Sequence, residues 1–166
     1  ILAKIFSYDK WDTVLEILNL PLATIDEDTQ NKVENITSQN MGGGGEGEAH
    51  KQLKRYIQEH PECVGIKGMN SELEKTLPSG DAIDVFFENS QHWVGVEVKS
   101  KISNEFDILR GLYQCVKYQA VMESYLAVLN IQKDVRTVLA LGCNFPDSLI
   151  PVKNILGIEV IQNINV

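Results

Sequence analysis

The alternation of apolar and polar positions divides the chain into short helices and strands. Apolar side chains at helical spacing predict helices at 10–20, from Glu46 to about Pro61, and over 104–124. Alternating or continuous apolar runs predict strands at 72–77, 82–88, 92–99, 135–143 and 157–164. A short helix or loop is expected over 147–154.

The order of these elements predicts the fold class. A helix, a three-strand meander, a long helix, a strand, a short helix and a last strand are typical of an α/β domain with a mixed central sheet flanked by helices. Four consecutive glycines at 42–45 are the strongest boundary signal and predict a flexible linker. We therefore expect a domain at 46–166, preceded at 1–41 by a helical appendage or by the tail of a larger upstream region.

The composition is that of a soluble globular protein, with 43% apolar and 23% charged residues among 166. No apolar run is long enough to span a membrane, and the N-terminus lacks the order of a signal peptide, so we expect a cytoplasmic protein without a membrane partner. The three cysteines are widely spaced and form no CxxC pair, which argues against disulfides and against a zinc site.

The formal net charge of -8 argues against tight non-specific binding to nucleic acid, because phosphates are contacted by Lys and Arg. Acidic residues cluster along 26–34, however, whereas many of the cations fall in the predicted domain. The local field matters more than the net charge. The sequence is therefore compatible with an enzyme that acts on DNA.

Two predicted strands carry polar side chains inside otherwise apolar runs. Because strand side chains alternate between faces, Glu97 and Lys99 point the same way, and a hairpin would bring Asp84 beside Glu97. Two carboxylates and the Val98 carbonyl suit Mg²⁺, and Lys99 is then placed to activate a water or to offset charge on a phosphate. The alternative is an edge strand with an ordinary Glu/Lys ion pair.

The long helix adds a second group of polar side chains. Gln114 and Tyr118 are four residues apart and share a face, with Arg110 one turn earlier and Lys117 nearby. This face offers donors to phosphates or bases. The alternative is a solvated or interfacial face, with a packing face formed by Leu109, Leu112, Val116 and Ala120.

The combination of these motifs resembles the PD-(D/E)XK nuclease superfamily. Asp84 followed by 97–99 (Glu-Val-Lys) matches its acid and lysine motif, and Gln114-x-x-x-Tyr118 resembles the QxxxY helix of its RecB-like and lambda-exonuclease-like branch. The resemblance covers about residues 43–164. Ile83 stands where the family name has proline, so one letter of the signature is missing.

The resemblance implies a restriction-endonuclease-like core and a metal-dependent nuclease that hydrolyses DNA phosphodiester bonds with a metal-activated water. Mg²⁺ would be the cofactor, with Mn²⁺ as a substitute. The implied catalytic residues are Asp84, Glu97, Lys99, Gln114, Tyr118 and Glu46. The implied metal ligands are Asp84, Glu97, Val98 and Glu46. The expected substrate-binding residues are Arg110, Lys117 and His50.

The acid from the first helix is either Glu46 or Glu48. Periodicity favours Glu46, because it shares the apolar face of the helix with His50, whereas Glu48 points away. Two interpretations of His50 stay open: contact with the metal or phosphate, or a buried, hydrogen-bonded histidine. Asp81 competes with Asp84 for the strand acid, and we interpret it as a turn residue.

Other functions are also compatible with the sequence. The nuclease-like fold would serve as a nucleic-acid-binding or interaction module with little catalysis, or the enzyme would act on RNA. An apolar stripe over 11–18 would be costly to expose. It is expected to pack on the domain, on a second copy in a homodimer, or on a missing upstream domain.

Overall fold

A computed structural model describes residues 47–166 of the chain. The predicted helix at 10–20, the apolar stripe at 11–18, the glycine linker at 42–45 and Glu46 lie outside the described residues. None of the helices within 47–166 is long and apolar enough to cross a membrane.

The described residues form three α-helices, two 3₁₀ turns and five strands. The helices are α1 (Glu48–Glu59), α2 (Glu105–Val128) and α3 (Ile150–Leu156). The 3₁₀ turns are Pro61–Val64 and Asp147–Leu149. The strands are β1 (Asn70–Thr76), β2 (Ala82–Glu88), β3 (His92–Lys99), β4 (Asp134–Leu141) and β5 (Glu159–Ile161). The predicted order of elements is therefore confirmed.

The extent of the last strand was predicted wrongly. β5 covers only Glu159–Ile161 rather than 157–164. Gly157 ends α3 in the left-handed conformation, and Asn163 is left-handed as well, so neither residue extends the strand.

The sheet is mixed, with the spatial order β1-β2-β3-β4-β5. β1, β2 and β3 form an antiparallel meander, whereas β4 pairs in parallel with both β3 and β5. A parallel neighbour requires a crossover connection, and α2 provides it between β3 and β4. The expected α/β fold with a mixed central sheet and flanking helices is thus confirmed.

Side chains of β3 alternate between two hydrophobic clusters, one on each face of the sheet. Val96 and Val98 pack with Leu53 and Ile57 of α1. The other face meets α2, and at Gly95 a Cβ atom would lie 3.2 Å from the Met122 side chain. Glu97 and Lys99 share the face of Gly95 by alternation, so they are directed towards α2.

The packing face of α2 differs from the alternative prediction. Val116 is 38% exposed and Ala120 is exposed, whereas Cys115 and Tyr118 are buried. The residues of α2 that pack in the core are Ile108, Leu112, Cys115, Tyr118, Met122 and Leu126. Tyr118 therefore lies at the edge of the buried face.

Candidate active site

Asp84 and the strand β3 meet where the pairing of β2 with β3 ends. At this end of the antiparallel ladder, the last paired residues are Val85 and Val96. Beyond it, the Val98 backbone N–H donates to Asp84 Oδ2 at 2.8 Å, so a side chain replaces the neighbouring strand. This contact brings Asp84 next to Glu97 in space, as the hairpin argument predicted.

The other carboxylate oxygen of Asp84 faces two basic side chains of α1. His50 Nε2 lies 3.4 Å and Lys54 Nζ 3.7 Å from Asp84 Oδ1. Burial raises the pKa of Asp84, but the hydrogen bonds from His50 and the Val98 N–H, with the nearby positive charges, outweigh it. The net result is a pKa below the usual value of an aspartate.

A chain of hydrogen bonds connects Glu97 to α2. Lys99 Nζ donates to Glu97 Oε1 at 2.6 Å and to Gln114 Oε1 at 3.2 Å. Gln114 Nε2 donates to the Tyr118 hydroxyl at 3.2 Å, and that hydroxyl donates to the Ala82 carbonyl at 3.2 Å. Gln114 and Tyr118 therefore connect the lysine of β3 to the start of β2.

Glu97 differs from Asp84 in its protonation equilibrium. It is only 3% exposed, and burial together with the negative charge of Asp84 raises its pKa to about 7 against the opposing effect of Lys99. Burial, followed by the charge of Glu97, also raises the pKa values of Tyr118 and Cys115. The site thus concentrates negative charge where water is largely excluded.

The donor atoms in this region fit a hard divalent cation. A strand residue directs its N–H and C=O to the same side, so the Val98 carbonyl faces Asp84 as its N–H does. Within 47–166, no three His, Cys, Asp or Glu side chains are grouped so that they could hold a metal ion alone. Two carboxylates and a carbonyl suit Mg²⁺, which keeps several waters and binds substrate phosphates.

The remaining predicted residues that the structure describes have other surroundings. Arg110 is exposed on α2, and Lys117 Nζ pairs with Asp81 Oδ1 at 2.7 Å. Asp81 lies in the turn before β2 rather than in the cluster. Glu48 is exposed and accepts a hydrogen bond from Gln52 of its own helix at 3.4 Å.

Two residues of this region were not found from the sequence. Lys54 is 4% exposed and pairs with both Asp84 and Glu74. Its position one turn after His50 on α1 was a usable signal, because residues four apart share a helix face. Glu74 sits on β1 between Leu73 and Lys75, which pair with Val85 and Ile83 on either side of Asp84.

Two solved structures resemble the fold. A repair endonuclease from Pyrococcus abyssi matches with a TM-score of 0.51 and 17% identity over 72% of this chain and 49% of that chain. The EndoMS–dsDNA2 complex matches with a TM-score of 0.54 and 17% identity over 74% of this chain and 47% of that chain. The chain spans about half the length of these structures.

No protein-family model matches the sequence, and no curated protein matches it. The likeness in structure therefore supports the class of fold, which is the restriction-endonuclease-like α/β core expected above. In this chain the core consists of a five-stranded mixed sheet with flanking helices.

Proposed function

We propose that the chain is a metal-dependent nuclease that hydrolyses DNA phosphodiester bonds, with the QxxxY helix of the RecB-like and lambda-exonuclease-like branch. The observation that carries this proposal is the largely buried cluster of Asp84, Glu97 and Lys99, which lies at the start of β2 and the end of β3 and is joined to Gln114. Buried ionisable groups destabilise a fold unless they are compensated, so a surface that only binds DNA has no need of them. The likeness to endonuclease structures adds support.

The proposed cofactor is Mg²⁺, with Mn²⁺ as a substitute, held by Asp84, Glu97, the Val98 carbonyl and Glu46. When bound, such a cation lowers the pKa of a water molecule and polarises a phosphoryl oxygen. The pKa of the buried Glu97 carboxylate is about 7. A cation bound beside this carboxylate would favour its ionised form.

Lys99 is the residue that would meet the negative charge developing on the phosphate. Its ammonium has three donors, of which two are directed to Glu97 and Gln114, so one is left for a phosphate oxygen. Tyr118 acts through Gln114, since its hydroxyl fixes the amide that orients Lys99. Arg110, Lys117 and His50 are the proposed contacts to the rest of the substrate.

The test is a cleavage assay on labelled single-stranded and double-stranded DNA, and on matching RNA, with Mg²⁺ or with EDTA. We expect Mg²⁺-dependent cleavage of DNA by the wild type. Lys99→Ala should lower kcat about 10²- to 10³-fold, because one charge-stabilising donor is lost. Asp84→Asn, which keeps the side-chain shape but removes the charge of a proposed metal ligand, should abolish cleavage.

Lys101→Ala is the matched control, since Lys101 is an exposed lysine two residues beyond Lys99. Its cleavage rate should stay within about twofold of the wild type, as expected for an exposed surface charge. Circular dichroism checks that each variant is folded. Cleavage at close to the wild-type rate in both Lys99→Ala and Asp84→Asn would contradict the proposal. DNA binding by the wild type without any Mg²⁺-dependent cleavage would favour the binding-module alternative.

A further inference from the structure

The solvent-facing side of α2 carries two aromatic and two cationic side chains in alternation. Phe106, Arg110, Tyr113 and Lys117 follow the spacing i, i+4, i+7, i+11, which places them on one face of the helix. We call these four residues the α2 stripe. Phe106 is 67% and Tyr113 is 54% exposed.

The core does not explain the α2 stripe. The opposite face of the helix is the one that packs, through Ile108, Leu112 and Cys115. Neither Phe106 nor Tyr113 contacts another aromatic ring within the described part of the chain. Neighbouring exposed aromatic rings on one surface indicate a binding site.

The charges on the α2 stripe select an anionic partner. Arg110 makes no hydrogen bond or ion pair among the described residues. Lys117 pairs with Asp81 in an exposed ion pair, which contributes little to stability and can be exchanged for a phosphate. Flat rings that alternate with cations are the combination used for single strands, in which bases stack and phosphates are neutralised.

We propose that the α2 stripe binds single-stranded DNA, with bases stacked on Phe106 and Tyr113 and phosphates contacted by Arg110 and Lys117. Each pair is seven residues apart, hence about 10 Å along the helix. The two rings and the two cations therefore lie along one line. A duplex is a poorer fit, because its base faces are already stacked. The choice of DNA over RNA rests on the function proposed above.

The α2 stripe is continuous with the candidate active site. Arg110 of the stripe lies four residues before Gln114 and is therefore its neighbour on the helix surface, and the Gln114 side-chain oxygen lies 3.2 Å from Lys99 Nζ. A DNA strand bound along the stripe would therefore pass beside Gln114 and the lysine that it contacts, Lys99. This gives the stripe a role in presenting a phosphate to that lysine.

A second copy of the chain is a less suitable occupant of this face. A two-fold interface places the same patch on both subunits. Such an interface would bring Arg110 and Lys117 of both copies onto one surface, whereas the phosphates of a DNA strand neutralise these cations. Charge complementarity thus favours the nucleic acid.

The experiment measures binding without cleavage. Fluorescence anisotropy of a labelled oligo-dT is followed with the full chain in EDTA, alongside oligo-rU and a DNA duplex. Phe106→Ala and Tyr113→Ala should each weaken oligo-dT binding about 5- to 150-fold, as expected for one lost stacking contact. Phe106→Tyr, which keeps an aromatic ring, should bind oligo-dT with the affinity of the wild type. Arg110→Gln should weaken binding and reduce the magnitude of the slope of log affinity against log salt concentration by about one.

Val128→Ala is the matched control, because Val128 is exposed on the same helix beyond the stripe. Its affinity should equal that of the wild type. Unchanged affinity in both aromatic variants, no wild-type binding, or a clear preference for oligo-rU or duplex would overturn the proposal. The proposal would also be overturned if Phe106→Ala and Tyr113→Ala changed the oligomeric state on gel filtration without changing the affinity for oligo-dT. Because EDTA prevents turnover, a failed nuclease assay with intact stripe-dependent binding would refute the proposed function alone.

Discussion

Replacing Glu97 by glutamine should change how the free energy of unfolding depends on pH. In the folded protein the pKa of Glu97 is about 7, whereas the ordinary value is 4.5. The folded state therefore binds the proton more tightly than the unfolded state between these values. It follows that the wild type loses stability as pH rises from about 4.5 to about 7, and the loss is complete above pH 7.

The size of this loss follows from the two pKa values. The gap between 4.5 and about 7 corresponds to about 3 kcal/mol, since one pKa unit is worth about 1.4 kcal/mol. Asp84 acts in a different window. Its pKa is lowered from 3.8, so the stability it contributes is lost only as pH falls below about 4.

The measurement is urea unfolding of the wild type and Glu97→Gln at pH 5, 6, 7 and 8 in EDTA. The glutamine keeps an oxygen for Lys99 and has no titrating proton. The difference between the two proteins therefore reports the titration of Glu97 together with that of the groups whose charges interact with it. Between pH 5 and pH 8, Glu97→Gln should therefore become more stable relative to the wild type by about 2–3 kcal/mol, because a small part of the wild-type loss already occurs below pH 5.

Glu72→Gln, an exposed glutamate on β1, is the control and should show no such trend. A difference between wild type and Glu97→Gln that stays constant across this range would refute the raised pKa of Glu97. Mg²⁺ should restore stability to the wild type more at pH 8 than at pH 5, because the cation favours the ionised carboxylate.

Three further predictions concern α2. Gly111→Ala should lower the free energy of unfolding by about 1–3 kcal/mol and slow cleavage, because its Cβ would lie 2.7 Å from Leu139 and 3.1 Å from Lys99; urea unfolding and the cleavage assay measure both effects. Asn104→Ala removes the side chain that caps α2 in a capping box. Calorimetry should show a lower thermal midpoint, equivalent to about 1 kcal/mol, and the cleavage assay should show retained activity. Cys115, buried and with a raised pKa, should resist iodoacetamide in the folded protein and react only in urea, as peptide mass spectrometry would report.

The fold was largely predictable because local patterns agree with the sheet. The apolar runs of β2, β3 and β4 are buried as their composition indicates. The packing face of α2 was not predictable in the same way. Apolar residues surround this helix, and exposed ones such as Phe106, Tyr113 and Val116 weaken its periodicity. Sequence spacing alone could not decide which side the sheet covers.

The candidate site was predictable to the extent that its residues follow one another within single elements. Glu97 and Lys99 are fixed by strand alternation, and Gln114 and Tyr118 by helical spacing. Lys54 and Glu74 depend instead on how α1 crosses the β1–β2 hairpin. Glu74 also has a left-handed backbone, with φ of 52°, in the middle of a strand, which interrupts the regular pattern.

The contact of Lys54 with Asp84 explains why the two carboxylates differ. Asp84 has His50 and Lys54 of α1 on one oxygen and the Val98 N–H on the other, so its charge is compensated from two directions. Glu97 is buried with Lys99 as its hydrogen-bond partner, and Lys99 is shared with Gln114. Without a cation, the second negative charge is therefore the costly one, and the pKa values move apart. The sequence motif alone does not distinguish the pKa values of the two acids. The helix packed against the hairpin determines that Glu97, and not Asp84, holds a proton near neutral pH.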